Sequence, residues 1–191
     1  MINESITLVV NEPITLATDY MLAIASMIFG ILLWRRGVRP WAIAFLFTAC
    51  GSFFGGTYHG FGGAAIWKAS VYSIGLASLF LLMPFLRVTA IVIFAVYALW
   101  MTTHDGFGWV IADYGVTLLL LTAVMILHRL PMSRWVIGSV IVSVVAAIVQ
   151  QAPIAYHNDV YHVIQLAALW LLYRGGTFMS SATERPTTPP T

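Results

Sequence analysis

The chain has 191 residues, 60% of them hydrophobic and only 8% charged. A soluble domain carries about 25% charged residues, so the composition argues against a water-soluble fold and for one compact membrane domain. The formal net charge of +2 is too small to suggest nucleic acid, and the single cysteine, Cys50, excludes an intrachain disulfide or a thiolate metal cluster.

The opening stretch, Met1 to Pro13, carries Glu4 and Glu12 and no basic run, so no secretory leader is expected. Seven apolar segments follow, each near the length that crosses a bilayer as a helix, about 20 residues. The first covers about Thr15 to Trp34 and ends at the basic turn Arg35-Arg36-Gly37-Val38-Arg39-Pro40. The second runs from about Trp41 to Phe61, and the third from about Ala65 to Leu86, stopping at Arg87. The fourth is short, about Val88 to Thr103, and gives way to the turn His104-Asp105-Gly106. The fifth covers about Phe107 to Leu127, the sixth about Ser133 to Gln151, and the seventh about Asn158 to Tyr173. The expected fold is therefore all-α, an integral membrane bundle of seven transmembrane helices. Segment 1–14 lies outside, 15–174 forms the membrane domain, and 175–191, rich in Gly, Ser, Thr and Pro, is a disordered tail. Seven tryptophans fall mostly near predicted helix ends, as an interfacial aromatic belt requires. Cys50 is expected to be a small packing residue.

Lys and Arg in short loops set orientation. They cluster after the first, third, fifth and seventh helices, so the N-terminus is expected outside and the C-terminus in the cytoplasm. Threaded this way, Asp19, His59, Lys68, Asp113, His157, Asp159 and His162 all belong to the outer half. An ionisable group in hydrocarbon costs several kcal/mol and persists where it pairs or lines a wet cavity. A polar pocket opening outward is the expectation.

Each candidate has a plainer reading. His59 follows Gly51, Gly55 and Gly56 in a helix end that admits close helix approach; it either faces a ligand or caps the helix. In the seventh helix, Asp159 can orient the His162 imidazole, or serve as an N-terminal cap while His162 simply packs. His59, His157 and His162 are three possible zinc ligands. His157 and His162, however, are five apart and point about 140° away from each other on a regular helix. Lys68, the only lysine, is expected to pair with Asp113 or Asp19, to snorkel outward, or to act as a base or nucleophile.

Seven helices with the N-terminus outside, Ser52 and His59 in the second helix, and His162 near the start of the seventh resemble the alkaline ceramidase and progestin/adipoQ receptor superfamily of membrane hydrolases. In that pattern His59 matches the second-helix histidine, and His162 the second histidine of the seventh helix. Gly55 stands one turn before His59, with Ser52 a further turn back. Lys68 stands where the family has an aspartate, and Asn158 replaces the first histidine of the seventh-helix pair. The resemblance implies a zinc-dependent hydrolase of lipid-like amides or esters. His59 and His162 would hold the metal, Asp159 would orient, and Ser52 would assist at the oxyanion. The other reading is a non-enzymatic binder of lipid or small molecule whose Lys68, Asp113 and His162 form a structural network. A seven-helix retinal protein is excluded, since the seventh helix has no lysine for a Schiff base. No internal repeat suggests a transporter.

Overall fold

The computed structural model describes residues 10–154 and 156–183, with side chains through Met179. Every regular element among them is a helix: α1 Pro13–Arg35, α2 Arg39–Phe61, α3 Ala64–Leu82, α4 Arg87–Trp100, α5 Phe107–Leu127, α6 Ser133–Gln151 and α7 His157–Thr183. Five of these, α1, α2, α3, α5 and α6, are long and apolar enough to cross a membrane. The 14 residues of α4 rise only about 21 Å.

Local chemistry sets most boundaries. Pro13 and Pro40 sit in the first turns of α1 and α2, where a missing N–H costs nothing. α3 stops at Leu82, just before Pro84, whose ring nitrogen has no N–H to carry the helical hydrogen-bond ladder onward. The turn into α3 is made by Gly62 (φ +75°) and Gly63 (φ +108°), backbone that side-chain-bearing residues rarely adopt.

Two elements differ from the sequence expectation. α4 ends at Trp100, and residues 101–103 form a turn instead of a last helical step. The segment expected to be a tail after Arg174 continues α7 to Thr183. Its cause is the pair Gly175 and Gly176. A Cβ on Gly176 would lie 2.9 Å from the Trp41 ring and 3.0 Å from Leu33. Only glycine lets α7 press this closely on α1 and α2, and the burial outweighs a helix-propensity cost of about 1 kcal/mol per glycine. Residues 184–191 lie outside the described part.

The helices form a ring. α1 packs on α2, α2 on α3, α3 on α5, α5 on α6, α6 on α7, and α7 returns to α1. α4 lies outside this ring, against α3. The main apolar core fills one end, with Leu33, Trp41, Phe45, Leu82, Met125, Val136 and Leu172. This is the end where Arg35, Arg36, Arg39, Arg87, Arg129, Arg134 and Arg174 cluster. Trp41 is not an interfacial residue as expected; it is fully buried and its indole N–H donates to the Leu81 carbonyl at 3.1 Å. Cys50 is exposed on the outer face of α2 instead of packing inside. A second, smaller core of Val71, Tyr97, Met101 and Val110 joins α3, α4 and α5.

Candidate functional site

The glycine row of α2 brings α1 close. A Cβ on Gly56 would lie 2.9 Å from the Asp19 Cβ and 3.0 Å from the Tyr20 ring. On Gly55 it would lie 3.5 Å from an Asp19 carboxylate oxygen. Missing side chains on α2 thus make room for the carboxyl of α1. Gly51 does the same for α3, whose Ser70 hydroxyl donates to the Gly51 carbonyl at 2.8 Å. The tight approach predicted from the small residues is present.

Opposite the main core, the ring encloses a cavity of about 820 Å³. Asp19, Ser52, His59, Lys68, His157 and His162 line it, together with Asn158 and Gln165. The polar residues lie at the ends of helices away from the arginines. Farther along, the walls are Leu22, Ile74, Leu118, Leu119, Val140, Val144 and Leu169. The cavity is therefore polar at one end and apolar along its length.

The polar contacts differ from those expected. His162 is held by Asp19, not by Asp159: its Nε2 lies 3.3 Å from Asp19 Oδ1. Its Nδ1 lies 2.9 Å from Thr18 Oγ1. If Nε2–H donates to the carboxylate, Nδ1 accepts the threonine hydroxyl, so both ring nitrogens are engaged. Asp159, one turn before His162, faces α1 and accepts the Thr15 hydroxyl at 2.8 Å. It does not line the cavity. α1 crosses α7 at this point, so both carboxylates find partners on the neighbouring helix.

Lys68 also departs from expectation. It pairs with Asp105 at 2.6 Å, not with Asp113 or Asp19. It donates further to the Met101 carbonyl and to that of His104, the latter at 3.3 Å. The turn between α4 and α5 offers two carbonyls and a carboxylate together, a more complete set of acceptors than one buried aspartate. The Asp105 carbonyl also accepts the Trp67 indole N–H at 3.0 Å. Asp113 is turned away from the cavity, toward α3 and α4.

At the mouth, His59 Nδ1 lies 2.9 Å from Glu12 Oε2. His157 Nδ1 donates to the Ile154 carbonyl at 3.0 Å. Asn158 accepts from Gln150 at 3.2 Å. Among the described residues, no three His, Cys, Asp or Glu side chains converge on one point where a metal could sit. His59 and His162 share the cavity, but His162 has no ring nitrogen free for a metal.

Thr15, Thr18, Glu12 and Asp105 are site residues that the sequence reading passed over. Thr15, Thr18 and Asp19 are spaced i, i+3, i+4, so they share one face of α1; that stripe was the available signal. Glu12 and Asp105 gave none, because each acts across a turn onto a distant helix.

Neither the curated proteins nor the solved structures yielded a match to this chain. A family model does match over residues 14–181, from the start of α1 almost to the end of α7, and the chain accordingly belongs to DUF6962, a family of unknown function.

Proposed function

We propose that the protein spans a membrane seven times, with its arginine end in the cytoplasm, and binds an amphiphilic, lipid-like molecule in its cavity. The observation that carries this reading is the cavity of about 820 Å³, polar at one end and apolar along its walls. Small-molecule pockets run to about 300–1,000 Å³ and combine apolar walls with a few placed polar groups. His59 and Asn158 receive the polar end of the ligand. Its apolar part lies among Leu118, Leu119, Val140 and Val144. Leu119 and Val144 line the cavity and are 63% and 53% exposed.

The test is extraction and mass spectrometry of small molecules from protein purified in mild detergent. A Cβ on Gly115 meets nothing within 4 Å, and this residue lines the cavity. Gly115→Leu should fill the space and lower ligand occupancy several-fold with little loss of stability. A wild type with no co-purifying amphiphile and no saturable binding of a fluorescent long-chain amide would overturn the reading.

A second reading, a zinc-dependent hydrolase of lipid-like amides or esters, is favoured by one observation: His59, His162, Asp19 and Ser52 share the cavity. The bonds described above do not suit it, because a metal would have to displace Asp19 or Thr18 from His162. No catalytic step is derived through zinc. Elemental analysis distinguishes the readings: near one zinc per chain, lost in both His59→Ala and His162→Ala, would favour the hydrolase.

A further inference from the structure

The arginine end of the bundle has no described carboxylate to balance it. The ion pairs among the described residues all lie elsewhere, at Glu12, Asp105 and Asp19. Two of the arginines are arranged together. Arg134 opens α6, Arg174 lies in α7, and both are exposed. The Arg134 guanidinium lies 5.3 Å from the centre of the Trp135 ring, and the Arg174 guanidinium lies 5.1 Å from the same ring. Arg134 is also 5.8 Å from the Phe178 ring, and Arg174 is 5.8 Å from the Trp170 ring. Trp135 in turn stacks on Phe178 at 6.3 Å and meets Trp170 edge-on at 6.1 Å. Two guanidinium groups from two helices are thus seated on one continuous set of three rings. α7 runs close to α6 here, since a Cβ on Gly175 would stand 3.5 Å from that of Trp135. The continuation of α7 past Gly176 is what carries Phe178 to Arg134.

Basic residues of any geometry set membrane orientation, so orientation does not require two of them, from different helices, to share one ring. Arg35 and Arg36, at the end of α1, carry the same charge and lie over no ring among the described residues. A guanidinium over a ring face is held by cation–π attraction, while its N–H groups stay in its own plane and remain free to donate. Neither Arg134 nor Arg174 has an ion-pair partner among the described residues. Preordered guanidinium forks of this kind suit the oxygens of a phosphate. The setting indicates where that phosphate comes from. Trp170 is 46% exposed, and tryptophans near helix ends sit at the level of lipid headgroups. Basic pockets between transmembrane helices on the cytoplasmic side take anionic headgroups. Ile141, Val145 and Ile148 continue the Arg134 face of α6 and are all exposed. They offer apolar surface to acyl chains, which a free phosphate would not use.

We propose that Arg134 and Arg174, seated on Trp135, bind the phosphate headgroup of an anionic phospholipid from the inner leaflet. The inference rests on the membrane-spanning reading given above, with the arginine end in the cytoplasm, and not on what the cavity holds. The experiment is native mass spectrometry of the full chain released from mild detergent, titrated with phosphatidylglycerol or with phosphatidylcholine of the same acyl chains. Phosphatidylglycerol should bind about ten-fold more tightly. That preference should vanish in Arg134→Gln/Arg174→Gln. Arg35→Gln/Arg36→Gln removes the same charge from the same end and should keep it. Trp135→Leu leaves both charges in place and should still weaken phosphatidylglycerol binding several-fold, which a diffuse attraction would not do. Arg134→Lys/Arg174→Lys, which keeps the charge and loses the planar fork, should lose part of the preference and serves where another variant folds poorly. Gly115→Leu should leave the preference intact, which separates a lipid held here from one lodged in the cavity. Because the lipids are offered in detergent, a reversed membrane orientation would change the leaflet and not this result. Equal affinity of the wild type for the two lipids would overturn the proposal. So would a preference that survives in Arg134→Gln/Arg174→Gln, or one that falls equally in Arg35→Gln/Arg36→Gln. Full displacement of phosphatidylglycerol by inorganic phosphate would also overturn it and assign a soluble anion instead.

Discussion

Asp19 and His162 are each more than nine-tenths buried and touch across the α1–α7 contact. Removing one partner strands the other, at a cost of about 1–3 kcal/mol. Asp19→Asn and His162→Phe should each lower stability by that amount. The double variant should lose less than the sum, with a coupling of about 0.5–3 kcal/mol. A double-mutant cycle by reversible unfolding in mixed micelles measures it; strict additivity would mean the contact carries no energy. Lys68 and Asp113 should behave in the opposite way, because they share no partner. Lys68→Met and Asp113→Asn should add to within about 0.3–0.5 kcal/mol. These two cases show what could be read from residue types alone. That Asp19, His59, Lys68 and His162 gather at one end was legible, since topology alone carries each of them there. Who bonds to whom was not. Lys68 finds Asp105 because a turn, whose geometry no periodicity encodes, folds its carbonyls and carboxylate back onto α3.

At the scale of elements, all seven helices were legible from hydropathy, and their limits fall close to those expected. The exception is the end of α7. Gly175 and Gly176 read as a breaker in sequence, because glycine is poor in an isolated helix. The structure uses them for contact with Trp41, Leu33 and Val136, a long-range effect that local propensity does not contain. Their contact has a measurable consequence. A chain cut after Arg174 uncovers the Trp41 and Leu33 surface and should unfold at a temperature several degrees lower than the full chain. A cut after Thr183, which removes only 184–191, should leave the midpoint within about 1 °C. Equal midpoints for the two truncations would show that the last two turns of α7 contribute no stability.

At the scale of the molecule, every described arginine lies at one end, and every described carboxylate lies at or toward the other. The one cation at the acidic end, Lys68, is paired there. Loop Lys and Arg residues set membrane orientation, so reporter fusions should place residue 184 in the cytoplasm and residue 10 on the opposite side. The reverse result would turn the cavity mouth inward.

The ring order carries one more consequence, for synthesis. α1 and α7 are its first and last members, yet they are neighbours, and they share the Asp19–His162 and Thr15–Asp159 contacts. Until α7 leaves the ribosome, the helices form an open arc. Asp19 is then without the imidazole that later holds it, and the cavity has no back wall. A nascent chain halted after α6 therefore lacks a closed cavity and carries a bare carboxylate on its first helix. This is the kind of unpaired polar group by which an incomplete chain can be distinguished from a finished one.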